Sequence, residues 1–412
     1  MTRRPRAVFI SPIAPARTGN GLAMRMGQFA DALAAFAELT IVIAPVAGDA
    51  GGSDSFEGGR VHVVPVAGRT ETQFAMLSRM RDERSRLAAF RDYGKPSLAA
   101  HLSPSVLADI SNCVADCRPD IVHIGRSYLS PCVERVPAGV VATLDLDEDD
   151  NASYASQARL ARARGERFLA DWLEQEGEAC DRLVARWRPS FRRAFVASAE
   201  DGLRLAGRHP GLSWEVARNA VPIPRRRPKR DDGATMLFVG GLGYAPNAEG
   251  VLWFCREVLP RLRSMSAPSC RLWIAGAESP AVAELTRHPR VNWLGRVDSV
   301  GPLYERATLA LAPLRAGGGT RIKLLEAAAH RTASVATFEA SRGVDWPRDA
   351  AGWTARSPEA FASACRAALS DAVERDRRAA RGHNWARRRC ARDRVVAGLA
   401  RSLSRVFGET RA

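Results

Sequence analysis

Short apolar runs alternate with amphipathic stretches along almost the whole chain, and no other feature limits its fold as strongly. In the first half the runs are "AVFIS", "LTIVIAP", "RVHVVPV", "DIVHIG", "GVVATLDL" and "AFVAS". Each has the length of a strand and falls short of a buried helix. Between them lie helical patterns such as "GLAMRMGQFADALAAFA", which places Leu22, Met26, Phe29, Ala30 and Leu33 on one face. Strand then helix, repeated, is the pattern of a parallel, doubly wound α/β sheet. The stretch from Ser153 to Trp187 reads as one long charged helical region on the outside of that domain. At 219–233, "NAVPIPRRRPKRDDG" interrupts the alternation with prolines and dense charge, as a linker does. A second set then begins with "TMLFVGGL", a helix over 247–263, "CRLWIAGA", "RVNWLGRV", "TLALAPL", a helix over 320–330 and "ASVAT". Two Rossmann-like halves are expected: residues 1–221, a basic linker at 222–232, and a second domain over 233–375.

The 412 residues suffice for two such domains, and a 46% hydrophobic content excludes gross disorder. No stretch approaches the roughly 18 apolar residues of a membrane span. The opening "MTRRPRAVFISPIAPART" reads as a first strand and not as a signal peptide, which makes the cytoplasm the expected location. The eight cysteines, at 113, 117, 132, 180, 255, 270, 365 and 390, form no Cys-x-x-Cys pair and read as buried reduced thiols. The net charge of +16 is almost all arginine, in "RLARARGER", "RWRPSFRR", "RRRPKR" and "RDRRAARGHNWARRRCARDR". Those runs suit solvated helix faces, an anionic membrane surface or phosphorylated substrates. They lack the interleaved aromatics of a single-strand stacking platform, so no nucleic acid is expected.

In open parallel sheets ligands sit at the carboxyl ends of strands, near helix N-termini. The loop "GGGTRIKLLEAAAH" (317–330) lies in such a place. Gly317, Gly318 and Gly319 let backbone N–H groups approach an anion, Thr320 suits the N-cap, and Arg321 and Lys323 reach the same anion. The alternative reading is a glycine turn with exposed cations. Glu326 shares a face with Ile322 and Ala329, on the stripe that turns inward, where a carboxylate is costly unless bonded. Its partner is either a ribose attached to a phosphate at the loop, or Arg321 or Lys323. A second glycine loop, "VGGLGYAPNAEG", brings Gly240, Gly241 and Asn247, and a third, "GRVD", brings Arg296 and Val297. In the first half, "ARTGNG" places Gly19, Asn20 and Gly21 after the opening strand, with Arg25 one turn on, where a sugar or phosphate could approach. Asp145 and Asp147 in "DLDEDDN" read as polar or catalytic strand-end residues, or as loop and cap residues; no metal is assigned to them. His123 in "DIVHIG" is either structural or catalytic.

These residues together resemble the nucleotide-sugar glycosyltransferases of the GT-B fold, in the large group that includes glycosyltransferase family 4. The resemblance is strongest over Leu237–Thr337, in "LFVGGLGYAPNAEGVLWFCREVLPRLR" and "VNWLGRVDSVGPLYERATLALAPLRAGGGTRIKLLEAAAHRTASVAT". It is weaker in the first half, in "TGNGLAMRMGQFADALA", "PDIVHIG" and "SAEDGLRLAG". It implies two Rossmann-like domains facing across a cleft, with a C-terminal helix crossing back to the first. On that basis the basic region 376–412 is expected to pack on the first domain. It further implies a hexosyltransferase-type enzyme using a UDP- or GDP-linked co-substrate, with no other cofactor and no metal. Retention of configuration, a glycan or lipid-linked acceptor, and a role in cell-surface polysaccharide or glycolipid synthesis at the inner membrane face complete that expectation. Glu326 matches the second glutamate of the family's Glu-x₇-Glu motif, which holds the ribose; Gly317 to Thr320 would face the diphosphate and Arg296 to Asp298 the base. Gly19 to Gly21 would line the acceptor side, and Arg321 and Lys323 would stabilise the departing phosphates. The sequence departs from the pattern in three places. The first glutamate falls at Gly318, the Arg and Lys after the first donor-domain strand are replaced near Gly241 and Pro246–Asn247, and the first-domain histidine falls near Gly125 and not at His123. Alternatives are a nucleotide-sugar 2-epimerase on the same fold and a non-catalytic basic binding protein.

Overall fold

The computed structural model describes residues 3–50, 55–225, 229–264, 270–277, 279, 282, 283, 285, 288–345 and 351–409. The chain divides into two compact units, one of residues 1–219 and 395–412 and the other of residues 220–394. Within the expected linker, residues 226–228 lie outside the described residues.

The first unit is built on one sheet. Its strands are β1 (Arg6–Ser11), β2 (Glu38–Ile43), β3 (Ser55–Phe56), β4 (Gly59–Val63), β5 (Ile121–Gly125), β6 (Val141–Asp147), β7 (Arg193–Val196) and β8 (Trp214–Val216). They lie in the order β3-β4-β2-β1-β5-β6-β7-β8. All pairs are parallel except β3 with β4. Successive residues of β1 enter opposite layers: Val8 and Ile10 join one core, and Ala7 and Phe9 the other. Burial on both faces explains why these strands read as unbroken apolar runs and not as alternation. The charged helical stretch forms two helices, Asp150–Ala163 and Arg167–Trp187, packed through Ala158, Ala161 and Ala170. The short strands β3 and β8 had no apolar run long enough to announce them.

The second unit carries β9 (Thr235–Val239), β10 (Arg271–Ala275), β11 (Val291–Gly295), β12 (Leu309–Ala312), β13 (Ser334–Thr337) and β14 (Gly352–Ala355). All are parallel, in the order β11-β10-β9-β12-β13-β14. The helix expected over 247–263 starts at Ala245 and widens by one turn at Phe254–Val258. β14 was not foreseen, because "GWTA" carries no apolar run.

Only part of the basic C-terminal region joins the first unit. The helix Ala372–Arg389 belongs to the second, where Arg378 Nη1 donates to the Gly352 carbonyl at 2.6 Å and His383 Nδ1 meets the Ala329 carbonyl at 3.0 Å. From Val395 onward the helix Arg392–Gly408 groups with the first unit, burying Leu399, Leu403 and Val406 in the core layer of Phe9 and Phe29. The stripe at spacings of four and three residues is the ordinary way a helix covers a sheet face. Leu403→Ala is therefore expected to cost the first unit about 2–5 kcal/mol. Amide exchange in β1 and β2 should accelerate accordingly, and unchanged protection there would show that this helix does not cover the sheet.

Candidate functional site

In each sheet the order of strands reverses at one place, between β1 and β5 in the first unit and between β9 and β12 in the second. The crevice at the carboxyl ends of such a strand pair is where open α/β sheets take ligands. In the second unit the loops leaving β9 and β12 there are Gly240–Tyr244 and Pro313–Arg321, the two glycine-rich segments of the sequence.

Lys323 joins them. Its Nζ donates to Asn247 Oδ1 at 2.7 Å and lies 4.6 Å from the centroid of the Phe238 ring. Asn247 is fixed in turn, since its Nδ2 donates to the Gly241 carbonyl at 2.9 Å. Gly240 makes this arrangement possible: a Cβ there would stand 2.7 Å from Asn247 Nδ2 and 3.2 Å from Lys323 Nζ. Withdrawal from water pushes the ammonium down to about 7, helped by the nearby Arg321 and opposed by Glu326. A cation so placed is worth more to an anion that enters than one in bulk water.

Glu326 sits one turn further along the helix Ile322–Ala329. Among the described residues no cation lies within 4.0 Å of its carboxylate, so the internal ion pair with Arg321 or Lys323 is not formed. Its partner is the Tyr304 hydroxyl, 3.2 Å from Oε2. The other oxygen, Oε1, accepts no hydrogen bond among the described residues and is not sealed off from solvent. Burial pushes this carboxyl up to about 7, with the Tyr304 hydroxyl and Lys323 pulling it back down. An inward carboxylate with one oxygen open to solvent can accept further hydrogen bonds.

The other loop residues divide between shaping and lining. Arg321, expected to meet an anion, is buried and folds onto its own loop, with Nη1 donating to the Gly318 carbonyl and Nη2 to that of Ala316 at 3.3 Å. It braces the glycine loop. Gly317, at φ +101°, lies so close to Tyr244 that a Cβ would stand 2.9 Å from its hydroxyl. Gly318 and Gly319 complete the loop. Thr320 is not the N-cap; its hydroxyl donates to the Gly343 carbonyl at 3.4 Å, and the cap position falls to Arg321, whose side chain makes no capping bond. The first N–H groups of the helix thus lack a side-chain acceptor. Arg296 and Asp298, beyond β11, are exposed, and Val297 packs beside Tyr304.

The first unit treats its candidates differently. Arg25 is 1% exposed and makes a bidentate pair with Asp145, Nε–Oδ2 at 2.8 Å and Nη2–Oδ1 at 2.6 Å. Its Nη1 reaches the Ala217 carbonyl at 2.7 Å and Asn219 Oδ1 at 3.0 Å. Arg25 and Asp145 are therefore spent on each other and do not line an open loop. His123 is fully buried, stacked on Phe29 with centroids 4.3 Å apart, and its Nδ1 meets the Thr143 hydroxyl at 2.8 Å. Burial, aided by Arg25, pushes it down to about 3, and a neutral imidazole sealed in aromatic packing is a core residue and not a proton carrier. Asp147 keeps part of its surface. It sits at φ +66°, held by Arg25 at 3.3 Å, Asn219 Nδ2 at 3.2 Å and Arg126 at 3.6 Å. Arg126 also has a positive φ, +75°, with an extended ψ of 150°, a backbone region that L-residues rarely adopt and that costs roughly 1–3 kcal/mol. Asn20 caps the helix Gly21–Ala34 through Leu22 N at 2.8 Å, and Gly19 is exposed at φ +96°. The remaining acids of "DLDEDDN" are taken as well, Glu148 by Arg126, Asp149 by Arg204 and Arg208, and Asp150 by Arg126 and Ser127. Among the described residues no three His, Cys, Asp or Glu side chains are grouped to hold a metal ion.

Residues 233–371 match the family described as Glycosyl transferases group 1. Over the whole chain the fold is that of sucrose-phosphate synthase from Thermosynechococcus elongatus, at a TM-score of 0.70 and 13% identity, covering 98% of this chain and 100% of that one. HepE of Anabaena, in complex with UDP and glucose, aligns at 0.63 and 12%, covering 97% and 99%. The trehalose-6-phosphate protein of E. coli, bound with UDP-2-fluoro glucose, aligns at 0.64 and 13%, covering 98% and 99%. The chain has the GT-B fold, and its second unit carries a group 1 glycosyltransferase domain. No curated protein matches it by sequence.

Several site residues carried no sequence signal. Tyr304 lies in the six-residue helix Gly301–Arg306, which belongs to no motif. Arg126 and Asn219 meet Asp147 only through the folded sheet. The pairing of Arg25 with Asp145 spans 120 positions. Removing one member of a buried ion pair leaves the other charge unpaired, at a cost of about 3–5 kcal/mol. Arg25→Ala should therefore lower stability by that order without weakening nucleotide binding to the second unit. Calorimetric and thermal unfolding measurements check both halves, and lost nucleotide affinity in a folded variant would return Arg25 to the binding machinery.

Proposed function

We propose that this protein is a glycosyltransferase that moves a sugar from a UDP- or GDP-linked donor to a glycan or lipid-linked acceptor, with retention and without a metal ion. The observation that carries this reading is Glu326: an inward carboxylate without an ion-pair partner, one oxygen free, one turn from an uncapped helix start. The vicinal hydroxyls of a ribose supply the two donors such a group lacks. The diphosphate lies toward Gly317, Gly318, Gly319 and Thr320, with Gly240, Gly241 and Asn247 on the facing loop, and the base toward Arg296 and Val297. That HepE holds UDP and the E. coli protein UDP-2-fluoro glucose supports uridine as the first base to try.

When the glycosidic bond breaks, its electron pair stays on the diphosphate, so catalysis consists mainly of stabilising that charge. Lys323 and the first N–H groups of its helix meet the charge, which removes the need for a divalent cation. Arg321 serves indirectly, by setting the loop. In the first unit Asp147 is the residue placed to bind an acceptor hydroxyl, being part-exposed and oriented by Arg25, Arg126 and Asn219. The net charge of +16 supports an acceptor bearing phosphate at the inner face of an anionic membrane. No helix among the described residues is long and apolar enough to cross a membrane.

Calorimetry with UDP and GDP tests the donor site. Binding in about the micromolar range is expected for one of them, lost in Glu326→Ala and unaffected by EDTA. Binding of neither nucleotide by folded wild type would overturn the reading. Conversion of donor alone, with no acceptor, would instead favour an epimerase, and an inverted anomeric signal in the product would overturn retention.

The affinity should also be bell-shaped in pH. Glu326, pushed up to about 7, must be ionised to accept from ribose, so below neutrality binding has to expel a proton and weakens. Lys323, pushed down to about 7, must be charged to meet phosphate, so above neutrality binding has to take up a proton and weakens. Glu326→Gln should remove the carboxyl's share of the acid limb and leave only the titration of the nucleotide's own phosphate. An acid limb unchanged in that variant would show that Glu326 does not take part.

A further inference from the structure

Tyr304 is 1% exposed and is held from several sides. Its ring stacks on His330, centroids 5.3 Å apart at 14°. Its carbonyl accepts from Lys229 Nζ at 2.8 Å and from the Thr332 hydroxyl at 2.9 Å. So anchored, the ring delivers its hydroxyl to the helix that carries Glu326, 3.2 Å from Glu326 Oε2 and 3.2 Å from the Lys323 carbonyl. One hydroxyl proton thus has two acceptors. With Glu326 ionised, the carboxylate is the stronger of the two; with Glu326 protonated, the phenol can turn to the Lys323 carbonyl.

We propose that Tyr304 is a positioning residue for the donor's ribose, an inference that rests on the nucleotide-sugar reading above. Its hydroxyl fixes the rotation of the Glu326 carboxylate by holding Oε2. That leaves Oε1 and one lone pair of Oε2 aimed outward, the two acceptor sites that a vicinal diol needs. The terminal torsion of a glutamate is soft and broad, and the other charged group acting on it, Lys323, stands beyond ion-pair distance on the same helix. No other described side chain makes a hydrogen bond that holds the carboxylate in register. Discrimination for a ribonucleotide over a deoxyribonucleotide follows, because a missing hydroxyl leaves one of the oriented acceptors unpaired.

Tyr304→Phe removes the hydroxyl alone. Calorimetry of wild type, Tyr304→Phe, Glu326→Gln and the double variant against UDP, 2′-deoxy-UDP and inorganic pyrophosphate tests the assignment. Wild type should prefer UDP over its 2′-deoxy form by about tenfold. Tyr304→Phe should lose most of that preference and move the acid limb of UDP binding to higher pH, with pyrophosphate affinity unchanged within about twofold. The double variant should bind UDP no more weakly than Glu326→Gln. A preference and acid limb retained in Tyr304→Phe, or additive losses in the double variant, would overturn the role of Tyr304 while leaving the donor site intact. Failure of wild type to bind either nucleotide would overturn both. Should Tyr304→Phe not fold, the same question is answered in wild type labelled at the tyrosine Cζ. The Tyr304 signal should titrate in step with Glu326 and move when UDP is added; a signal that does neither overturns the assignment.

Discussion

A parallel sheet covered on both faces leaves one place for chemistry, the rim where the strands end and the connecting loops begin. Both units of this protein obey that constraint. Val8 and Ile10 point into one layer and Ala7 and Phe9 into the other, so the strands themselves have no surface to offer. Strand order then selects a single stretch of rim, between β1 and β5 in one unit and between β9 and β12 in the other. Arg25 stands on the helix that follows the first of those places, and Lys323 and Glu326 on the helix that follows the second; Asp147 ends the strand beside β5, and Tyr304 lies in the helix that precedes β12.

The two rims are used in opposite ways. In the first unit the charges are satisfied internally: Arg25 with Asp145, Arg126 with Asp150, Asp149 with Arg204 and Arg208. Buried pairs of this kind give little net stability, but either member alone is expensive, so they fix geometry. What they fix is Asp147, which keeps a partly exposed carboxylate on a backbone of positive φ. In the second unit Glu326 and Lys323 are left without an ion-pair partner among the described residues. Glu326 has a phenol where a cation would quench it, and Lys323 has an amide and an aromatic face. Both groups hold their charge near neutrality only at some cost, which a ribose diphosphate would relieve.

Much of the architecture was legible in the sequence because it rests on local pattern. Eleven apolar runs each became a strand, and the glycine loops fell where the strands end. Strands β3, β8 and β14 escaped because two to four residues of mixed polarity carry no periodic signal. Glu326 stood out as a carboxylate on an apolar stripe, and its surroundings agree with that reading. Arg25 and His123 differ from expectation for one common reason. A sequence shows that a polar residue sits near a strand end, but not whether a distant partner has already claimed it. Asp145 lies 120 positions from Arg25, and the Phe29 ring that seals His123 comes from another element. Tyr304 was missed for the converse reason, since nothing local distinguishes it from an ordinary core tyrosine.

The central claim is that Glu326 is kept without a cation so that a nucleotide can complete it. The most direct measurement is the carboxyl titration of Glu326, followed by carbon NMR of selectively labelled protein with and without UDP. The account expects a midpoint near the value of about 7 set by burial in the free protein, and a fall toward the ordinary carboxylate range when UDP is bound. A midpoint already in the ordinary range and indifferent to UDP would contradict it, and would mean that the charge of Glu326 is satisfied from within the protein.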